Sequence, residues 1–267
     1  MTQGFSMLYA FRRVPHWLPT LMFGVALASL IMAPRIGAAA DEASADELPA
    51  NLYFDVTMDG KPMGYHHVEF SRDGDDILVD IDIDLRVKFA FITVFKYIHE
   101  NQERWQGDTV QSLVSKTEDS GKAFAVNAVR DGELLVVEGS RGDYEVRGPL
   151  ATTSYWHYET MTSNDRMLNS QKGDLLPYTL TNQGTEMITA RGQEIEAVKY
   201  FLDSKIDTCI WYAADTNEWV KLEFDARGRT IEYNLVTDKA QTTDNKAASL
   251  VAPTATVLAA GQVPSSR

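Results

Sequence analysis

Four of the five histidines (all but His16), one cysteine and an alternating run of aspartates carry the side chains of this chain whose types and spacing allow chemistry. His66 and His67 are adjacent. On a strand they point to opposite faces, so they cannot share a metal ion, whose ligands must converge. His99 opens the stretch His99-Glu100-Asn101-Gln102-Glu103. That stretch lacks the second histidine of a helical zinc-protease motif and sits in a strand pattern. Tyr97, His99, Asn101 and Glu103 then share one strand face, read as a polar face, with metal or acid–base use of His99 and Glu103 as the sharper alternative. Asp80, Asp82 and Asp84 are spaced as a strand face. An EF-hand loop needs a central glycine and a distant bidentate glutamate, so these carboxylates are expected on a solvated face opposite lysine or arginine. Cys209 has no second cysteine to pair with. Beside Ile210, Trp211 and Tyr212 it reads as a buried small hydrophobe, or else as a thiol open to a partner. No metal site, cofactor motif, nucleophile elbow or phosphate loop is legible.

The elements that must position these residues are strands. From Ile77 the alternation is strict: Ile77, Val79, Ile81, Ile83, Leu85 and Val87 on one face, Asp80, Asp82, Asp84, Arg86 and Lys88 on the other. Period two over that length specifies a strand with one buried and one polar face. Further strands are expected at 52–58, 65–70, 94–105, 110–117, 123–130, 134–138 and 144–147. The second half adds 175–181, 185–190, 194–202, 208–213, 220–224 and 230–236. Asp59-Gly60, Gly107-Asp108, Asp131-Gly132 and Gly142-Asp143 suit tight hairpins. One short helix is expected near 158–169, where the alternation stops. The fold class that follows is all-β: a single curled antiparallel sheet, barrel or half-barrel, because curling removes exposed strand edges.

The N-terminus sets the expected compartment. Arg12 and Arg13 precede an apolar run from Trp17 to Met32, followed by Pro34 and the small residues Gly37-Ala38-Ala39-Ala40. This order fits a cleavable secretory signal over residues 1–40, and the run is shorter than the roughly 20 residues a spanning helix needs. A retained single-span anchor is the alternative. A linker at 41–50 leads into a β-domain at 51–237. Residues 238–267, rich in Ala, Thr, Ser and Gln and lacking aromatics, are expected to form a disordered tail. The expected location is periplasmic or secreted.

Charge narrows the partners. Residues 1–40 hold three arginines and no acid, leaving 38 acidic against 22 basic side chains in the remainder. Such a balance argues against nucleic acid, whose binding draws on lysine and arginine. The apolar stretch from Val87 to Phe95 breaks alternation, so both of its sides are apolar. It is either a strand buried on both faces or an apolar lip at a barrel mouth. The ligand-binding candidates are therefore Phe89, Phe91, Ile92 and Phe95, with His99 as polar anchor and Trp156 and Trp211 as companions.

The order of motifs is similar to a family of secreted bacterial proteins known as domain of unknown function 6134. The resemblance rests on Tyr53-Phe54-Asp55-Val56 with Asp59-Gly60-Lys61-Pro62-Met63-Gly64, on Val87-Lys88-Phe89 through Tyr97-Ile98-His99-Glu100-Asn101 to Trp105, and on Lys116 to Lys122. Thr153-Ser154-Tyr155-Trp156, Leu168 to Gly173, and Trp211-Tyr212 with Trp219 to Leu222 extend it over about residues 51–236. His157 departs from the small polar residue expected after Trp156. The resemblance implies an exported β-rich domain and brings no catalytic residues. The expected function is non-catalytic binding of an apolar or amphipathic molecule, a lipid or envelope component. The competing readings are a module docking another envelope protein through a strand edge, and a hydrolase or metal enzyme using His99, Glu103 or His157.

Overall fold

A computed structural model describes residues 48–89 and 92–239 of the chain. The expected signal over 1–40, most of the expected linker, Phe91 and nearly all of the expected tail lie outside the described residues, as does the side chain of Phe89.

Eight strands form an antiparallel meander: β1 (Leu52–Met58), β2 (Lys61–Asp73), β3 (Asp76–Phe89), β4 (Ile92–Gln106), β5 (Thr109–Asp119), β6 (Lys122–Asp131), β7 (Leu134–Gly139) and β8 (Tyr144–Arg147). Local turn chemistry sets the first register. Asp59 and Gly60 both have positive φ, 49° and 73°, which the two-residue turn joining Met58 to Lys61 requires. On β3 the alternation behaves as its sequence demands: Val79, Ile81, Ile83 and Leu85 are all buried. The aspartates of the other face find different partners from those expected. Asp80 accepts from Gln102, Asp82 from the Tyr65 hydroxyl, and Asp84, itself buried, from Arg86 on the same strand.

An excursion follows, made of β9 (Ala151–Thr152), α1 (Tyr158–Ser163), β10 (Arg166–Leu168) and β11 (Leu175–Pro177). These three strands form a small sheet of their own, with β9 and β10 parallel. The helix is shorter than the 158–169 expected. Thr160, Thr162 and Ser163 all turn their hydroxyls back onto helix carbonyls, and Asn164, in extended backbone, bonds the Thr160 carbonyl. Side chains that compete for backbone partners shorten a helix, and β10 takes residues 166–168 instead.

The chain then returns through β12 (Thr179–Ala190), β13 (Gln193–Asp203), β14 (Thr208–Ala213), β15 (Trp219–Asp225) and β16 (Thr230–Val236). The expected break between 181 and 185 is a bulge rather than a turn. Register shifts between Asn182 and Gly184, where the Asn182 side chain accepts from the Gly184 N–H. The sequence run 175–181 is itself divided, because Tyr178 donates its N–H to Asp165 and stands between two sheets.

Strand β16 pairs with β1, so both meanders join into one 13-stranded antiparallel sheet in the order β12–β16 then β1–β8. The sheet is not closed, and β12 and β8 are its free edges. The excursion seats against the inward face of both halves and acts as a plug. Ser115 of β5 donates to the Ser170 carbonyl, Tyr144 of β8 to the Gly173 carbonyl, and Tyr212 of β14 to the Tyr155 carbonyl. Tyr158 meets Tyr200 of β13 hydroxyl to hydroxyl at 2.9 Å. Phe54, Trp105, Leu113, Tyr212 and Trp219 lead the fully buried core between sheet and plug.

Candidate functional site

One polar face of β4 points inward. His99, Asn101 and Glu103 occupy alternate positions, and each is no more than 2 % exposed. The strand period of two that places Ile81 and Ile83 in the core places these three there as well. Register carries the row across the sheet: His66 lies opposite Ile83, Ile83 opposite His99, and His99 opposite Thr117.

Glu103 sits deepest in the polar run. One carboxylate oxygen accepts from Asn101 at 2.8 Å, the other from the Trp105 indole at 2.7 Å, with Ser154, Trp156 and Thr152 of the plug at 3.3–3.4 Å. Burial raises its pKa above the usual carboxylate value, against the effect of these donors. The group ties β4 to the plug. His99 makes a 2.8 Å hydrogen bond with the Thr117 hydroxyl and a longer one, 3.3 Å, with Ser170. Burial lowers it to about 4, so its ring is neutral at pH 7.

His66 differs from both. It is buried, and among the described residues neither ring nitrogen has a hydrogen-bond partner. Phe54, Trp219 and Tyr233 surround it edge to face, with ring centroids 6.0, 5.3 and 5.6 Å away. Burial first, then the neighbouring His99 and His67, lowers it to about 3.

His66, His99 and Asn101, but not Glu103, border a cavity of about 370 Å³ between the inward face of the sheet and the plug. Apolar groups make up much of its wall: Ile81, Ile83 and Leu85 of β3, Leu222 and Phe224 of β15, and Met167 and Leu176 of the plug. His66, His99, Asn101, Tyr233 and Trp219 supply the polar and aromatic part. Exposed Lys205 and Ile206, on the turn between β13 and β14, mark its opening, with Lys172 and Gln171 of the plug also in the lining.

Of the residues singled out in the sequence, Phe95 and His99 line this cavity together. Ile92 stands 68 % exposed at the start of β4. Trp156 packs in the core against Trp105 and Phe70, with its indole on Glu103, and does not border the cavity. Trp211 lies on the other face of the sheet. There Lys199 and Lys221, its register neighbours on β13 and β15, place their ammonium groups 4.7 and 4.8 Å from its ring centroid, and Glu186 accepts from its indole. Alternation along β14 sends Ile210 inward and so sends Trp211 outward. Cys209 shares that outer side and is half-buried.

His99, Glu103 and His157 do not converge. His99 and Glu103 are four residues apart on one strand, roughly 13 Å, and bond to different partners. His157 reaches the Gly107 carbonyl, with Asp108 and Glu159 nearby. No group of three metal-ligating side chains is assembled among the described residues. His66, Tyr97, Trp219 and Tyr233 were missed by sequence reasoning as cavity residues. Parity along one strand relates His99 to Asn101, but only the pairing of β2, β3 and β4 brings His66 into the same row.

A large open antiparallel sheet wound around a plug, with a part-polar interior cavity, defines a barrel-like β-domain. The profile described as Domain of unknown function (DUF6134) matches residues 54–236, and the chain belongs to that family. In structure the chain is similar to a beta-barrel-like protein of domain of unknown function DUF1849 from Brucella abortus. Their TM-score is 0.51 at 11 % identity, over 70 % of this chain and 95 % of that one. At that identity the likeness is one of fold. No curated protein matches the sequence.

Proposed function

We propose that this domain is an exported, non-catalytic binding protein that holds an apolar or amphipathic molecule, of the lipid or envelope-component kind, in the cavity between sheet and plug. The observation that carries the reading is the cavity itself. Its volume falls in the range of small-molecule sites, which are mostly apolar with a few placed polar groups. A packed β-core leaves few voids larger than a water molecule, so an apolar-walled space of this size with an opening is a feature to be explained by an occupant. The export half of the proposal rests on the basic, apolar and small-residue order of residues 1–40.

The test is to express the protein with residues 1–40 intact, recover it from the periplasmic fraction, extract it with organic solvent and identify released lipids by mass spectrometry. Bound lipid is expected, and Ile83→Trp, which fills the cavity from β3, is expected to abolish it while the protein stays folded. An extract with no lipid, together with no uptake of a fluorescent alkyl probe, overturns the proposal. A second reading, docking of a partner strand, is favoured by one observation: β12 is a free edge twelve residues long and exposed along most of its length. It predicts that proline substitutions along β12 abolish partner capture and leave lipid content unchanged.

A further inference from the structure

The cavity wall contains hydrogen-bonding capacity that the protein leaves unused. Among the described residues, both nitrogens of His66 lack partners, and so does the side-chain oxygen of Asn101. Asn101 cannot turn that oxygen away freely, because its amide nitrogen is held by Glu103 at 2.8 Å. Both residues are buried, at 3 % and 1 % exposure, and both line the cavity. His99, two strands from His66 in the same row, has its ring nitrogens engaged by Thr117 and Ser170. Buried polar groups without partners are uncommon and costly. No described side chain, the Tyr233 hydroxyl included, bonds either nitrogen of His66, and His66 lines the cavity, so a partner is one that enters from there.

We infer that His66 and Asn101 form a recognition subsite for an uncharged donor–acceptor group, a hydroxyl carried by an otherwise apolar ligand. This rests on the binding function proposed above and specifies its ligand class. A neutral imidazole presents one N–H donor and one bare nitrogen acceptor. A hydroxyl can accept from the first and donate to the Asn101 oxygen. A carboxylate offers acceptors only, so it would face the Asn101 oxygen and a lone pair of the imidazole. The lysines of the lining, Lys172 and Lys205, belong to the plug and to the exposed turn rather than to the His66 row. The subsite therefore selects against an anionic head group on β2–β4 and for an alcohol.

The experiment uses isothermal titration calorimetry at pH 7 with three probes of equal chain length: decanol, methoxydecane and decanoate. Decanol is expected to bind at least about tenfold more tightly than the other two, since a site built to donate and accept rejects a partner lacking either role. In His66→Phe, a ring change within an aromatic cage, decanol and methoxydecane are expected to bind within about threefold of one another. Nitrogen-15 NMR of the histidine rings gives a readout independent of that variant. Decanol should shift the His66 ring nitrogens and leave those of His67, on the other face, in place. Equal binding of the three probes, or a decanol preference that survives in His66→Phe, overturns the inference and leaves the cavity proposal standing. Failure of all three to bind overturns both.

Discussion

A histidine that stays neutral in the folded chain makes stability depend on pH, and here two do so. In the unfolded chain each protonates near 6.5, whereas in the fold His66 resists until about 3 and His99 until about 4. The folded state therefore binds fewer protons than the unfolded one below pH 6.5. Stability is fully present above that value and is lost as pH falls toward 4 and then 3. Glu103 acts in the opposite sense, because its folded constant lies above the unfolded 4.5 and acid favours its buried form. The two histidines and the carboxyl therefore oppose one another as pH falls from 7 to 5. Urea unfolding at pH 5 is expected to give a lower stability than at pH 7, each histidine accounting for about 2 kcal/mol of loss, so His66→Phe should lessen the fall by about that amount. A stability independent of pH over that interval would mean the rings are not held neutral.

Among the elements, the plug depends on one close approach. The loop after β10 comes so near β7 that a Cβ on Gly139 would stand 2.8 Å from the Lys172 carbonyl oxygen and 2.9 Å from the Gly173 Cα. Gly173 also has φ +81°, and a Cβ there would lie 2.8 Å from Gly139. The Tyr144 hydroxyl then clamps the Gly173 carbonyl at 2.7 Å. Both contacts are backbone to backbone, so neither can be relieved by turning a side chain. Gly173→Ala is expected to destabilise the domain by about 2–4 kcal/mol, from overpacking and the φ strain together. Hydrogen exchange should show loss of protection concentrated in residues 166–178, and thermal unfolding should shift downward. A variant melting with the wild type would show that the plug does not need this contact.

At the scale of the whole molecule, the link between the two meanders is a pairing of chain ends. β16 lies against β1, and its inward residues Ile231, Tyr233 and Leu235 join Phe54 and Trp219 in one core. The most sequence-distant strands are thus neighbours at the centre of the sheet. Ending the chain at Asp225 removes β16, exposes the edge of β1 and leaves the second half unattached. Loss of the cooperative unfolding transition is expected, measured by circular dichroism in urea. A truncated chain that still unfolds in a single sharp step would show that the halves are independently stable.

The sequence by itself determined the strands, most of their boundaries and the all-β class, since period-two alternation and glycine turns are local properties of the chain. It set Ile81, Ile83 and Leu85 inward, because parity within a strand needs no knowledge of neighbours. It marked His99 and Phe95, which do border the cavity. It could not decide the inward facing of His99, Asn101 and Glu103, because a polar strand face has the same pattern whether water or a plug lies against it. Trp211, an aromatic among apolar neighbours, reads as interior and is indeed buried, but on the outer face of the sheet, which its pairing with Lys199 and Lys221 decided. His66 joined the site only once β2, β3 and β4 were in register, and the cavity existed only once residues 151–177 folded back across the sheet. Register and closure depend on contacts between residues far apart in the chain, and that is information a single strand does not carry.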